Sequence, residues 1–290
     1  MDFDTLNSMF PEVHKPQNSF KFGNDYSPCI FDDTNKVNET SLMDADKRKA
    51  IYAKIPRNII TDKDCSSYRA MIFAMMYFQS PLASNKFCVS YHAFGFLCNF
   101  KVDFRYTKKN FVDLLERYQE YDYIKILSFA HNQNVAMIQK NEKFNLVNEE
   151  RYGIIYENEL NVICHFDGYS TRINQSHVLL VLAFIRCSYS HIDGIFERGC
   201  YMHIGNISEQ IGFKDKLVIT CIDYLVQMNI LRTQKSYDFK IDDKWLTGYT
   251  VFVDAQDVRG DGFYGKGQIN KLIKYLNNKK KSYPNIERGD

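Results

Sequence analysis

The stretch Asn206-Ile207-Ser208-Glu209-Gln210-Ile211-Gly212-Phe213-Lys214-Asp215-Lys216-Leu217-Val218 decides how the chain is to be read. Asn206 or Ser208 can cap a helix of one to two turns that runs through Gln210, and Gly212 ends it. The turn Gly212-Phe213-Lys214 then leads into a longer helix, Asp215 to Met228, whose inward positions are Leu217, Val218, Cys221, Leu225 and Met228. The product is helix, tight turn, helix.

Working outward, Val178, Leu179, Leu182 and Ile185 form an apolar stripe at helical spacing with Arg186 at its edge, which predicts a preceding helix. A strand-like run, Cys200 to Ile204, joins it to the helical pair. Downstream, Asn229-Ile230-Leu231-Arg232-Thr233 and Gly248-Tyr249-Thr250-Val251-Phe252-Val253 predict two strands of a hairpin. The polar, charged segment Gln234 to Thr247 between them is long enough to project as a wing. Ser176 to Asp254 therefore reads as a winged-helix unit.

A weaker copy of the pattern lies between Ser66 and Glu159. Its lead-in, Ile55-Pro56-Arg57-Asn58-Ile59-Ile60, is extended because the residue before proline avoids the helical region. Ser66 or Ser67 caps a helix carrying Ala70, Met71, Phe73, Ala74, Met76 and Tyr77, which Pro81 stops. Ser90 caps a second helix, Tyr91 to Phe100, and Thr107 a third, from Lys108 to Tyr118 or beyond. A hairpin is expected from Ile124-Lys125-Ile126-Leu127 out through Asn132 and Asn141 and back at Tyr152 to Tyr156. The second helix of this copy is unusually aromatic (Tyr91, Phe94, Phe96, Phe100), so a dimerisation platform stands beside DNA contact as a reading of this module.

The expected organisation is a flexible N-terminal tail over residues 1–48, winged-helix module 1 over 49–160, module 2 over 161–256, and a Gly-rich joint with a basic tail over 257–290. The fold class is α+β, two modules in tandem between flexible ends. The first tail is rich in Asp, Asn, Ser and Pro without sustained periodicity. Its Phe10, Phe20, Phe22, Tyr26 and Phe31 either dock on a partner or belong to an unattached tail. Within the connection 157–174, the run Leu160 to Phe166 suggests a strand and hence two modules packed together. The last segment carries Lys266, Lys271, Lys274, Lys279, Lys280 and Lys281. These either add salt-sensitive affinity for a polyanion or form the solvated face of an ordinary amphipathic helix.

On these features the chain resembles the tandem winged-helix replication initiators and replisome organisers of plasmids, phages and other mobile elements. The residues that carry the resemblance are the lead-in Tyr52-Ala53-Lys54-Ile55-Pro56-Arg57-Asn58-Ile59-Ile60 and the helix beginning near Ser66. Asn206 to Gly212 and the later helix ending Leu225-Val226-Gln227-Met228-Asn229-Ile230-Leu231 complete them. The likeness is one of architecture and spans roughly residues 50–255. It implies a sequence-specific double-stranded DNA-binding protein that binds iterated origin sites, works with host replication proteins and forms a homodimer. A winged-helix transcriptional regulator and a non-enzymatic protein-interaction module share the pattern. The absence of a ligand-sensing domain favours initiation.

Composition sets the limits. The 290 residues, 45% of them hydrophobic, supply about two cores. No run of eighteen apolar residues occurs and the first residues, Met1-Asp2-Phe3-Asp4, are acidic, so a cytoplasmic protein is expected. The eight cysteines follow no regular framework and read as free thiols. Cys187, His191, Cys200 and His203 offer a metal site as the sharper alternative, though a core helix suits zinc spacing poorly. No metal and no cofactor are expected. A net charge of +2 is too small to make the whole surface bind a polyanion, so any nucleic-acid contact must come from local clusters.

Enzymatic signatures are missing. Gly265-Lys266-Gly267-Gln268 lacks the glycine spacing and the Ser or Thr of a phosphate loop, and no His pair suits a rolling-circle nuclease. No nucleophile elbow occurs. The adjacent pairs Asp32-Asp33 and Glu149-Glu150 face apart on any regular element. No catalytic residue is assigned and a non-enzyme is expected.

The candidate DNA contacts follow from the helix-turn-helix. Lys214, Lys216 and Thr220, at the start of the later helix, would read bases in the major groove. Arg232, Lys235, Lys240 and Lys244, on the strand and wing, would touch phosphates or the minor groove. Lys108, Lys109, Asn110 and Arg117 take the corresponding places in module 1.

Overall fold

In a computed structural model the described residues are 52–80, 84–92, 104–130, 132–145, 151–170, 173–192, 196–235, 239–241, 244–246, 250–255 and 274. The tails, Pro81 and most of the expected helix Tyr91–Phe100 lie outside them; of that helix, Tyr91 and His92 are described and helical.

The chain mixes helices and strands. Its first half runs β1 (Tyr52–Pro56), α1 (Arg57–Thr61), α2 (Arg69–Gln79), β2 (Lys86–Ser90), α3 (Phe104–Glu120), β3 (Ile124–Ala130), β4 (Val135–Lys140) and the single turn α4 (Glu142–Asn145). Next come β5 (Tyr152–Tyr156), α5 (Glu157–His165) and α6 (Gln175–Cys187). The second half continues with β6 (Ser190–Ile192), β7 (Phe196–Met202), α7 (Ile204–Ile211), α8 (Asp215–Gln227), β8 (Leu231–Lys235), β9 (Phe239–Ile241), β10 (Lys244–Leu246) and β11 (Thr250–Asp254).

The same strand order is found in both halves. In the first, β2 pairs with β4 and β4 with β3; in the second, β7 pairs with β11 and β11 with β8, with β6 added outside β7 and β9–β10 a separate hairpin between β8 and β11. All these pairings are antiparallel. In each half a helix precedes the first strand and another helix leads into the last two.

Three expectations need correcting. The return strand of the first hairpin is Val135–Lys140, not Tyr152–Tyr156. Asn132 and Gln133 both take positive φ (53° and 65°), which turns the chain at once, and β4 can then bury Val135, Ala136 and Ile138. Residues 152–156 pair instead with β1, Tyr52 against Tyr156 and Pro56 against Tyr152. The run expected as a strand at Leu160–Phe166 belongs to α5 and its flank. Leu160, Ile163 and Cys164 are buried at helical spacing, Glu157 and Glu159 sit where the helix dipole favours acids, and the Tyr156 N–H donates to Glu159 Oε2 at 3.3 Å. The helix starts also differ: α3 begins at Phe104, before Thr107, and α7 at Ile204, before Asn206 and Ser208. Helix α2 begins at Arg69, where the Ser66 carbonyl accepts the Arg69 N–H at 3.1 Å.

Helix α6 is the hub. From Val178 to Ile185 every residue is buried, because β5, α1, α2, α5, α7, α8 and β7 pack around it. A single hydrophobic core runs through both halves. Such burial requires close approach at Gly153, where an added Cβ would lie 2.2 Å from the Ala183 carbonyl oxygen. It also buries Arg186, 4% exposed, which the sequence placed at the stripe's edge. The guanidinium binds both Glu159 carboxylate oxygens, one of them through Nη2 at 2.6 Å, and donates through Nε to Asp254 Oδ1 at 3.0 Å and through Nη1 to the Ile154 carbonyl at 2.9 Å. Desolvation works against that charge, but Asp254 and Glu159 outweigh it and hold Arg186 protonated.

Two substitutions test this hub. Arg186→Met strands two buried carboxylates and should cost about 3–5 kcal/mol in denaturant unfolding. Gly153→Ala should cost about 1–3 kcal/mol, because backbone rather than a mobile side chain opposes the added methyl. A neutral result for either would show that α6 is not held as described.

Candidate nucleic-acid interface

The turn between α7 and α8 is built by a glycine and a serine carbonyl. Gly212 has φ +78°, a conformation that side chains with a Cβ adopt at a cost, and Gly212 N–H and Phe213 N–H both donate to the Ser208 carbonyl at 3.0 Å. The end of α7 is sealed from the other half of the chain, where Arg69, 2% exposed, donates through Nη2 to the Ile211 carbonyl at 2.9 Å. Phe213 packs edge-on against the His177 ring, their centroids 5.2 Å apart.

Helix α8 buries Val218, Cys221, Ile222, Tyr224 and Leu225. Of the expected inward set, Leu217 and Met228 are only half-buried. Its outer face carries exposed Lys214, Asp215, Lys216, Asp223 and Gln227, with Ile219 47% and Val226 41% exposed. Thr220 is half-buried and its Oγ1 donates to the Lys216 carbonyl at 2.8 Å, so its hydroxyl proton is already used within the helix. On β8, Lys235 is exposed and Arg232 half-buried. Lys240 and Lys244 belong to β9 and β10; their side chains lie outside what is described.

The residues assigned to module 1 are placed differently. Lys109 is exposed and Lys108 half-buried on α3, but Asn110 is only 8% exposed, with its Nδ2 donor unpartnered. Arg117 is taken by two acids, Asp62 at 2.8 Å and Glu120 at 2.7 Å. Neither is presented as a groove-reading side chain. Asn110 faces inward because α3 turns Phe111, Leu114, Leu115 and Tyr118 to the core, and Arg117 is drawn back by Asp62. The exposed residues after Lys109 are Asp113, Glu116, Gln119 and Glu120, and the three carboxylates line an open cleft of about 570 Å³ together with Asp64 and the paired Arg117. That acidic face was legible in the i, i+3, i+7 spacing of the three carboxylates and went unread.

Asp62 anchors the loop between α1 and α2. Burial pushes its carboxyl up, but hydrogen bonds from Arg117, Tyr121 and Cys65 outweigh burial and hold it at about 2. Cys187 and Cys200, considered above for zinc, are buried, and burial drives both thiols up, Cys187 to about 11. Cys200 Sγ donates to the Ile185 carbonyl at 3.5 Å. Among the described residues no group of three His, Cys, Asp or Glu side chains could hold a metal ion, and no helix is long and apolar enough to cross a membrane.

No protein-family model matches the chain, and no curated protein matches it in sequence.

The histidine beneath the turn gives a pH test. Burial lowers the His177 pKa below 6.5, and its Nδ1 accepts the Asn174 N–H at 3.3 Å, which suits the neutral ring. The unfolded chain therefore takes the proton first, and this contribution to stability, present above pH 6.5, is lost as the pH falls below it. Unfolding titrations of wild type and His177→Gln should converge as the pH falls from 7 to 5. A constant difference would show that His177 titrates normally.

Proposed function

We propose that the chain is a sequence-specific double-stranded DNA-binding protein of tandem winged-helix architecture, acting as a replication initiator at iterated sites. The supporting observation is the α7–turn–α8 pair, which leaves the start of α8 exposed with Lys214 and Lys216 and is followed by β8 and β11 with a further hairpin between them. A major groove about 12 Å wide accepts one such helix, and its floor presents a distinct pattern for each base pair. In this reading Lys214 and Lys216 approach base edges or flanking phosphates. Ile219, one turn on and exposed, offers an apolar surface to a thymine methyl. Thr220 contributes through its oxygen, since its proton is engaged. Lys235 and the wing lysines Lys240 and Lys244 would meet the backbone, fixing register without reading sequence.

Initiation is preferred to transcriptional regulation because both modules share one chain and one core. Host replication proteins and a second copy of the chain are the partners this role implies.

Substitution of both Lys214 and Lys216 by Ala should weaken specific duplex binding at least about 10-fold, since one good base contact contributes about 1–3 kcal/mol. Both residues are exposed, so the unfolding midpoint should not move. Unchanged specific binding would remove α8 as the reading helix.

A further inference from the structure

We infer that the duplex-contacting surface is composite: Lys63, from the first half of the chain, forms part of the cationic surface at the start of α8, and that surface ends at the acidic cleft beside α3. The inference rests on the DNA-binding reading above and assigns one contact and one boundary within it.

The geometry that carries it lies at the Gly212 turn. A Cβ placed on Gly212 would lie 3.4 Å from Lys63 Cγ, 3.5 Å from its Cβ and 3.9 Å from its Cδ, so the stem of Lys63 lies across the turn that starts α8. Lys63 is exposed, as are Lys214 and Lys216. Lys214 is two residues beyond Gly212, so their Cα atoms are at most about 7.6 Å apart. A lysine with its stem packed on apolar or backbone surface keeps its ammonium in water. Lys63 and Lys214 thus flank one turn, and Lys216 follows on the first turn of α8 with the exposed Asp215 between the two later lysines.

The loop carrying Lys63 is fixed rather than loosely tethered. Its neighbour Asp62 accepts from Arg117 Nε at 2.8 Å, Tyr121 Oη at 2.6 Å and Cys65 Sγ at 3.1 Å. Arg69, just after the loop, binds the carbonyls of Ile60 at 3.1 Å, Cys65 at 3.3 Å and Ser66 at 3.2 Å with the same guanidinium that reaches Ile211. The backbone that carries the cation therefore arrives with little ordering entropy left to lose on binding. The next residue reverses the sign: Asp64 begins the cleft that Asp113, Glu116 and Glu120 continue along α3, and Arg117, which also lines it, is already paired with Asp62 and Glu120. Phosphates attracted to Lys63 are repelled one residue further on, so α3 does not enter a groove of the same duplex, and Lys109 at its far end contributes nothing to binding.

The test is a salt titration of duplex binding with the full chain, comparing wild type with Lys63→Ala, Lys63→Arg and Lys109→Ala, and with the Lys214 and Lys216 double alanine variant as reference. One phosphate contact contributes about 0.9 to the slope of log affinity against log salt, a factor of about 3.5 between 50 and 200 mM. Lys63→Ala should make the slope shallower by about that amount without altering sequence preference. Lys63→Arg should retain the slope, and Lys109→Ala should match wild type. A wild-type slope for Lys63→Ala, with the double variant still weakened, would overturn the composite surface and leave the DNA-binding reading standing. Equal loss in Lys109→Ala would overturn the boundary. Failure of the wild-type chain to bind any duplex would overturn both.

Discussion

A buried guanidinium neutralised from two directions fixes this architecture. Arg186 projects from the most buried helix, and its two carboxylates come from separate elements: Glu159 from the helix that follows β5, Asp254 from the end of β11. A charge in the interior is tolerated only when paired and hydrogen-bonded, so these elements must arrive together. The apolar packing of α6 supplies most of the cohesion, but a non-directional hydrophobic interior tolerates more than one arrangement. The ion pairs select one. Tyr189 adds a hydroxyl to Asp254 at 2.9 Å, and the Tyr156 ring lies under the guanidinium at 5.4 Å, so the charged centre is enclosed on its remaining sides.

From that constraint the placement of the candidate interface follows. Helix α6 packs on α1 and α2 and also on α7 and α8, so the α7–turn–α8 pair is held in fixed relation to the loop that bears Asp62 and Lys63. Arg69 makes the relation specific by binding buried carbonyls at the ends of α1 and α7 with one side chain. Two halves with the same strand order therefore present opposite surfaces: cations at the start of α8, carboxylates along α3. A shared strand order does not carry a shared surface when the outward residues differ.

Much of the second half was legible in the sequence. The periodicity of α8, the break at Gly212 and the two strands after Met228 rest on local chemistry, and local chemistry is what a sequence displays. The first half was legible as far as its helices. Its hairpin was not, because two apolar runs competed to follow β3, and what decided between them was pairing with β1, about a hundred residues earlier. The run Leu160–Phe166 has enough β-branched and aromatic residues to suggest a strand, and only the capping by Glu159 and the core beside α6 make it helical. Arg186 read as an edge residue, since its partners lie 27 and 68 positions away and no local pattern announces them. Among the site residues, Lys214 and Lys216 stood out as lysines at a helix start. Lys63 did not, for its proximity to Gly212 exists only after the two halves have packed.

Amide hydrogen exchange on the full chain, with and without a duplex that it binds specifically, measures the central claim residue by residue. The account predicts added protection across the Gly212 turn and the first turns of α8, together with the Lys63 loop, and unchanged exchange along α3 from Asp113 to Glu120. Protection centred on α3, with α8 unchanged, would contradict it.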